Sequence, residues 1–350
     1  MNSRRLAGRA LATMMTMSCA TPKPPPPAIE APPPKPPELL HPETRAEAIS
    51  EQMFGTEVKD PFRWLEDVKS PEVQAWMKAQ DDSARGVLRK LPGRDELTKR
   101  FTELFYADSI GAPVKRGNRL FYRRTHANKE KAVVYWKEGD AGEEKVLLDP
   151  NAWSAEGTVS LGVWVPSWDG SKVAFAKRAN NSDEATLHVL DVASGQISEV
   201  DVIAGGKYAS PSWTPDSKGF YYEYLPTDAS IPVDQRPGYT EARFHALGMD
   251  PAKDPVVHPA TKNPASFLGV QLSRDGRYLF VTIQRGWNEN DIFWKDLRSP
   301  RQTEWQLLVA GHDATYSLEA WKDAFYVVTD EGAPRRRIFK VLPAKPARKD

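Results

Sequence analysis

The stretch that decides the fold is PSWDGSKVAF at residues 166–175, and variants of it recur as SWTPDSKGFY at 212–221 and LSRDGRYLF at 272–280. Each copy has the pattern of a strand, an Asp-centred turn and a second strand, which is how neighbouring inner strands of a β-propeller blade are joined. The turn aspartates recur at intervals close to the roughly 40–50 residues of a four-stranded blade. The repeat therefore predicts a β-propeller. A β-sandwich, the general alternative, does not require such a repeat.

The hydrophobic pattern supports this prediction along most of the chain. Beyond about residue 110 the spacing of apolar residues changes from the helical period of about 3.6 to the strand period of about 2. Short strand-like runs then alternate with Gly, Asp, Asn and Ser to the end. Their number corresponds to about five blades, the last one partial. The predicted fold class is all-β: an incomplete β-propeller over residues 110–350, preceded by two short helices.

The segment 41–109 carries both helix signals. Ser70-Pro71-Glu72 supplies a capping hydroxyl, a proline at the first helical position and an acidic residue in the first turn. This helix is expected to end near Arg89 or Lys90. A second helix is expected from Arg94, and its apolar residues have the spacing of a face that packs against something large: Leu97, Phe101, Leu104 and Phe105. The sequence offers no evident partner for that face.

The N-terminal residues 1–19 have the features of an export signal. Three arginines at positions 4, 5 and 9 precede a short run of small and apolar residues that is far too short to span a bilayer. Cleavage before Cys19 would give the lipidated cysteine of a bacterial lipoprotein. We therefore expect an exported protein of the cell envelope or periplasm with a membrane lipid anchor at Cys19. The alternatives are plain secretion and a misplaced start codon.

Residues 20–40 form a Pro-rich linker that contains PKPPPPAIEAPPPKPP at 22–37. Proline cannot donate a backbone hydrogen bond and favours the extended polyproline II conformation. The segment is expected to be a semi-rigid spacer between the anchor and a folded domain. A disordered low-complexity leader is the alternative.

Composition excludes several other classes of protein. The chain has 48 basic and 47 acidic residues, so no overall field attracts it to nucleic acid. The single cysteine, Cys19, excludes an internal disulfide and a Cys-based zinc site. The sequence has no His-Glu-x-x-His, and Gly205-Gly206-Lys207 lacks the remaining residues of a phosphate loop. We therefore expect no metal, no cofactor and no nucleic-acid partner.

The sequence DPFRWLED at residues 60–67 resembles the N-terminal signature of the prolyl oligopeptidase family of serine peptidases. Further landmarks of that family follow in the same order: LDPN at 148–151, GTVSL at 157–161, HALGM at 245–249, LSRDGRYL at 272–279 and TDEGAPR at 329–335. Together they cover about residues 50 to 345. Oligopeptidase B is a close relative, but the DPFRWLED form looks more like the prolyl enzyme.

The resemblance implies a seven-bladed propeller that covers an α/β-hydrolase domain, in which Ser, Asp and His cleave short peptides after proline. The triad of this family follows the propeller. This sequence contains no Gly-x-Ser-x-Gly, the turn that such a nucleophile requires. We therefore assign no catalytic residue, and we expect the histidines, among them His126, His188, His245 and His312, to be structural or exposed.

The resemblance also implies a share of the substrate site. Tyr208, Phe267 and Trp287 match the positions through which the propeller contributes to the third substrate subsite. Aromatic faces suit proline-containing peptides. The alternative is that these side chains pack between blades, with Tyr208 in the core.

Two functions are compatible with these observations. The first is the propeller portion of a prolyl oligopeptidase-like serine endopeptidase, which gates or binds short proline-containing peptides once a hydrolase domain completes it and is inactive alone. This reading favours a truncated or split gene. The second is a non-enzymatic envelope lipoprotein that uses a propeller as a binding scaffold.

Overall fold

The computed structural model describes residues 41–180, 182–300 and 304–346. The chain divides into two compact units, residues 1–98 and residues 99–350. The expected signal segment with Cys19 and the Pro-rich linker both lie outside the described residues.

The described part of the first unit contains a hairpin and a long helix. Its elements are β1 (Ser50–Met53), β2 (Thr56–Lys59), a 3-10 helix (Arg63–Glu66) and α1 (Pro71–Leu88). Ser70 caps α1, because its Oγ accepts a hydrogen bond from the Val73 amide at 3.2 Å. The predicted start of the helix is confirmed. The helix ends at Leu88, and Arg89 is its C-cap.

The apolar stripe of α1 packs within its own unit. Val73 is buried and Trp76 is half-buried. The Trp76 indole donates to Thr44 Oγ1 at 2.9 Å and meets the ring of Trp64 edge-on, with 6.3 Å between the ring centroids. This face of the helix is therefore covered by the segment that precedes it in sequence.

Helix α2 (Arg94–Phe105) contains the boundary between the two units. It begins at the predicted residue, but none of its side chains is buried within the described part of the chain. Phe101 and Phe105 contact each other at 6.1 Å between ring centroids, and Phe105 is 76% exposed. The predicted apolar face is thus present and open. No helix among the described residues is both long and apolar enough to cross a lipid bilayer.

The second unit contains five successive sheets, named blades 1 to 5 in chain order. Blade 1 comprises β3 (Ser109–Ile110), β4 (Val114–Arg116), β5 (Arg119–Thr125), β6 (Val133–Glu138) and β7 (Lys145–Leu148). Blade 2 comprises β8 (Ser160–Pro166), β9 (Lys172–Arg178), β10 (Ala185–Asp191) and β11 (Ile197–Ile203). Blade 3 comprises β12 (Ser212–Trp213), β13 (Gly219–Tyr224), β14 (Glu241–Ala246) and β15 (Val256–His258).

Blade 4 comprises β16 (Ser266–Leu272), β17 (Tyr278–Arg285), β18 (Glu289–Asp296) and β19 (Gln306–Val309), and blade 5 comprises β20 (Tyr316–Trp321), β21 (Ala324–Thr329) and β22 (Arg337–Val341). Short 3-10 helices lie in the connections: Pro150–Ala152, Arg236–Tyr239 and Pro251–Lys253. Consecutive strands pair antiparallel in blades 2 to 5, whereas in blade 1 β3 and β4 both pair antiparallel with β5, and β5, β6 and β7 follow in order. Over the described residues, four blades are complete and blade 5 has three strands. The prediction of about five blades with a partial last one is confirmed.

The apolar core lies between consecutive blades. Between blades 2 and 3, for example, Trp213 packs edge-on against Phe220 at 5.0 Å, next to the apolar side chains of β9 and β10. Between blades 4 and 5, Phe325 lies among Tyr278, Phe280 and Trp294. Each blade therefore buries its faces against its neighbours.

The three repeated turns join the first two strands of blades 2, 3 and 4, and they share one hydrogen bond. In each copy a hydroxyl donates to the aspartate two residues later: Ser167 to Asp169 at 2.7 Å, Thr214 to Asp216 at 2.6 Å and Ser273 to Asp275 at 2.7 Å. The next residue has positive φ, which glycine supplies in two copies. Ser217 takes this position in the third copy with φ of 59°.

The turns of neighbouring blades also contact each other. The Gly117 amide of blade 1 donates to Trp168 O at 3.1 Å, and the Asp169 amide of blade 2 donates to Ser217 Oγ at 3.2 Å. These turns thus share one end of the blades, which we call the turn end.

Candidate functional site

The three predicted substrate-binding residues belong to blades 3 and 4, away from the turn end. Tyr208 precedes β12, and Phe267 is the second residue of β16. Trp287 follows β17, whose last residue, Arg285, pairs with Ser266 at the start of β16. Phe267 and Trp287 therefore lie at the same end of blade 4, where its inner strand begins. We call this the strand-start end.

Tyr208 and Phe267 form an aromatic pair across the boundary of the two blades. Their rings meet at 89° with 5.5 Å between centroids, which is the edge-to-face geometry that aromatic pairs favour. Phe267 is 44% exposed, and Tyr208 is half-buried. The Lys207 ammonium lies 5.6 Å from the centroid of the Tyr208 ring. The pair thus offers an accessible aromatic surface with a positive charge beside it.

Trp287 lies at the same end of blade 4 as Phe267, but it is outside the aromatic pair. It is 94% exposed in the β17–β18 turn. Among the described residues, the aromatic contacts join Tyr208 to Phe267 but join neither of them to Trp287. The base of the turn is held by Arg285, whose guanidinium donates to Asp291 at 2.9 Å. The structure therefore brings together two of the three predicted residues.

The loop that carries Tyr208 is fixed by two glycines. Gly205 has φ of 76°, and a Cβ there would lie 2.2 Å from Leu225 O. The Gly206 amide donates to Ala185 O in blade 2 at 2.8 Å. The glycines of Gly205-Gly206-Lys207, which lacks the remaining residues of a phosphate loop, therefore allow two backbone segments to approach each other closely.

Glu223 positions the aromatic pair and was not found from the sequence. Its two carboxylate oxygens accept hydrogen bonds from the Ser210 amide and the Val270 amide, each at 2.7 Å. Ser210 lies two residues after Tyr208, and Val270 lies three residues after Phe267. One carboxylate therefore ties both backbone segments together. The available signal was a single acidic residue in the aromatic strand GFYYEY at residues 219–224.

The Glu223 carboxylate is also electrostatically unusual. The residue is 4% exposed, and no ion pair joins it to a cation in the described part of the chain. Burial raises its pKa to about 7, although the two N–H donors act in the opposite direction. Because Glu223 bonds backbone amides and is covered by protein, its role is positioning rather than contact with a ligand.

His245 has two acidic partners that the sequence pattern did not reveal. Its Nδ1 lies 3.0 Å from Asp254, and its Nε2 lies 2.9 Å from Asp201 of blade 2. The Tyr222 hydroxyl donates to Asp254 at 2.8 Å. His245 is completely buried, and both of its ring nitrogens contact aspartates. The expectation of a structural histidine is consistent with this network, which joins blades 2 and 3.

A surface cavity of about 700 Å³ lies beside this network, and its lining includes Lys172, Asp191, Asp201 and Leu247. It belongs to the outer part of blade 2 and shares no residue with the aromatic pair. Within the described ranges, no group of three or more His, Cys, Asp or Glu side chains has the arrangement of a metal site. The aromatic pair is therefore the best candidate site, and its accessible aromatic surface is of the kind that suits binding.

Comparisons with known proteins give the same family. Residues 41–350 match the family described as "Prolyl oligopeptidase, N-terminal beta-propeller domain". The prolyl endopeptidase of Elizabethkingia meningoseptica is 29% identical over 310 residues, which are 88% of this chain and 43% of that protein. Prolyl oligopeptidase A of Galerina marginata is 26% identical over 319 residues, which are 82% of this chain and 43% of that protein.

Solved structures show the same relation. One from a structural and mechanistic study of two prolyl endopeptidases is 62% identical, with a TM-score of 0.84 over 88% of this chain and 45% of that one. Prolyl oligopeptidase B from Galerina marginata, bound to a 35mer hydrolysis and macrocyclization substrate, is 22% identical with a TM-score of 0.75, and shares the fold. The chain spans less than half the length of these relatives. It belongs to the prolyl oligopeptidase family, whose N-terminal β-propeller domain it contains.

Proposed function

We propose that this chain is the substrate-gating and substrate-binding propeller of a prolyl oligopeptidase-like serine endopeptidase. The peptides are short and contain proline. Hydrolysis requires a Ser, Asp and His triad from a hydrolase domain, because the sequence lacks the Gly-x-Ser-x-Gly turn. The observation that carries the proposal is the accessible pair of Tyr208 and Phe267, held in place by the buried Glu223.

The shape and polarity of this pair suit proline. The pyrrolidine ring is compact and apolar, and it packs well against aromatic faces. Edge-to-face rings leave one aromatic face open beside the edge of the other, so a flat apolar group can be held on two sides. Trp287 extends this surface if a peptide reaches the β17–β18 turn.

Cellular location forms part of the same proposal. Export through residues 1–19, with lipid attachment at Cys19, would put the propeller in the cell envelope, where short peptides are available. The support is the sequence pattern of the N-terminus. Mass spectrometry of the mature protein tests it, because lipidation leaves a modified Cys19 as the first residue.

The binding test uses the full chain and a pair of blocked peptides, acetyl-Ala-Ala-Pro-amide and acetyl-Ala-Ala-Ala-amide. Calorimetry is expected to show tighter binding of the proline peptide. Phe267→Ala is expected to weaken it by about tenfold, since a well-packed aromatic contact contributes about 1–2 kcal/mol. Trp321→Ala is the control, because Trp321 is an exposed aromatic at the far end of β20.

Two results would contradict the proposal. Equal affinity for both peptides would show that the chain has no preference for proline. An unchanged affinity of Phe267→Ala for the proline peptide would show that the aromatic pair is not the binding site. The full chain is also expected to release no chromophore from a chromogenic prolyl peptide. Serine-dependent turnover by the chain alone would show that a nucleophile had been missed.

A further inference from the structure

Two arginines and a tryptophan meet at the turn end of the blades. Arg116 is the last residue of β4 in blade 1, Trp168 lies in the first turn of blade 2, and Arg274 lies in the first turn of blade 4. The Arg116 guanidinium carbon lies 4.5 Å from the centroid of the Trp168 ring, and that of Arg274 lies 5.3 Å from it. Two positive charges from non-adjacent blades therefore share one aromatic ring.

These turns are held firmly by their neighbours. The Trp168 indole donates to Trp213 O in blade 3 at 3.1 Å, in addition to the contact between Gly117 and the Trp168 carbonyl. A Cβ on Gly276, two residues after Arg274, would lie 2.8 Å from the Pro215 ring. The turns of blades 1 to 4 are thus closely packed, and the two guanidinium groups are presented by a preformed surface.

Neither guanidinium is neutralised by a carboxylate among the described residues. Arg116 donates a hydrogen bond to the Lys115 carbonyl at 3.0 Å. The carboxylates of the neighbouring turns have other partners, since Asp169 accepts from Ser167 and Ser171, and Asp275 accepts from Ser273 and pairs with Arg298 at 3.5 Å. By contrast, Arg277 and Arg285 of the same unit each pair with an aspartate.

The two charges also act on each other. Burial of the Arg116 guanidinium and the nearby charge of Arg274 both lower the pKa of Arg116, although a guanidinium stays charged at neutral pH. An anion between the two groups would relieve this repulsion. Guanidinium groups bind carboxylate and phosphate oxygens through paired N–H donors.

We propose that Arg116, Arg274 and Trp168 form a binding site for an oxyanion at the turn end of the propeller. The ligand is a carboxylate carried by a peptide or a small free oxyanion such as phosphate, because both offer the oxygen acceptors that two guanidinium groups require. The site is separate from the aromatic pair at the strand-start end, and it does not depend on the proposed peptidase function.

The test titrates the full chain by calorimetry with three probes: acetyl-Gly-Gly bearing a free carboxylate, its carboxamide, and inorganic phosphate. These peptides lack proline, so binding at Tyr208 and Phe267 does not interfere. The free acid is expected to bind and the carboxamide is not. Arg116→Gln and Arg274→Gln are each expected to weaken binding about tenfold, because a hydrogen bond to a charged group contributes about 1.5–3 kcal/mol.

Lys115→Gln is the matched control, since it removes one positive charge from the exposed residue next to Arg116. The affinity of Lys115→Gln for the free acid is expected to equal that of the unaltered chain. Arg116→Lys keeps the charge but loses the paired donors, and an intermediate affinity is expected. Thermal unfolding of each variant establishes that the blades remain folded.

The outcomes separate the sources of the ligand. Preference for the peptide acid identifies a peptide carboxylate, and equal or tighter binding of phosphate identifies a free oxyanion. Either result supports the site, provided that both arginine variants weaken it. Equal binding of the acid and the carboxamide overturns the proposal. The proposal is also overturned if affinity falls as much in Lys115→Gln as in Arg116→Gln. It is overturned as well if none of the probes binds.

Discussion

The two boundaries on either side of blade 3 stabilise buried carboxylates in different ways. Between blades 2 and 3, Asp201 and Asp254 face the two nitrogens of His245. Between blades 3 and 4, Glu223 has two backbone N–H donors and no cation within the described residues. One boundary contains two carboxylates that share a histidine, and the other contains a single carboxylate.

Two carboxylates, one from each boundary, have opposite pH dependence. Burial acts to raise the pKa of Asp201, but hydrogen bonds from Ser198, Gly248 and His245 hold it below its ordinary value of 3.8. Its contribution to stability is therefore present above that value and lost as the pH falls. The pKa of Glu223 is raised, so its contribution is present at low pH and lost as the pH rises through about 7.

The largest expected effect comes from removing the imidazole of His245 between blades 2 and 3. His245→Leu is expected to lower the free energy of unfolding by about 3–5 kcal/mol, because two buried carboxylates lose their common partner. Urea unfolding of the full chain measures it. His126→Leu is the control, since half-buried His126 makes one hydrogen bond, to the Tyr135 hydroxyl at 2.9 Å, and about 1 kcal/mol is expected. Equal losses in the two variants would contradict the role assigned to the network.

A smaller and pH-dependent effect is expected between blades 3 and 4. At about pH 5, Glu223→Gln is expected to be about 1–2 kcal/mol less stable than the unaltered chain, because an amide cannot accept from both N–H groups. The unaltered chain then loses stability as the pH rises from about 4.5 to about 7, where Glu223 ionises in the folded state. The variant has no such group, so the difference should narrow by about pH 8.

Denaturant midpoints over this pH range measure the change. Glu319→Gln is the matched control, because Glu319 is an exposed glutamate on β20. The difference in stability between Glu319→Gln and the unaltered chain should be small and should not change with pH. A Glu223→Gln deficit that widens with pH would mean that the folded state favours the ionised form.

The smallest effect tests the same boundary through a neutral group. The Ser212 hydroxyl accepts a hydrogen bond from the Leu272 amide at 2.9 Å, which joins β12 to β16. Ser212→Ala is expected to cost about 1 kcal/mol and to show no pH dependence over the range used for Glu223. Ser317→Ala on an exposed position of β20 should cost less. A pH-dependent loss in Ser212→Ala would show that this bond and Glu223 act as one unit.

Much of the fold could be predicted because it depends on local patterns. Ser70 and Pro71 predicted the start of α1, and the repeated Ser/Thr-x-Asp turns predicted the hairpins, since each pattern is satisfied by hydrogen bonds within a few residues. The candidate site was predicted less fully. Tyr208 and Phe267 were identified through the resemblance and form a pair, whereas Glu223 was missed because its partners lie 13 and 47 residues away in sequence.

The sequence by itself determined the β-propeller class, the positions of its turns and the absence of a Gly-x-Ser-x-Gly motif, because these features are written in short stretches of chain. Only the tertiary structure decided which side chains meet across blades. The pairing of His245 with Asp201, of Glu223 with two distant amides, and of Arg116 and Arg274 with Trp168 all join separate blades. Such contacts depend on how neighbouring sheets pack against each other. The alternating pattern of side chains along a single strand does not predict them.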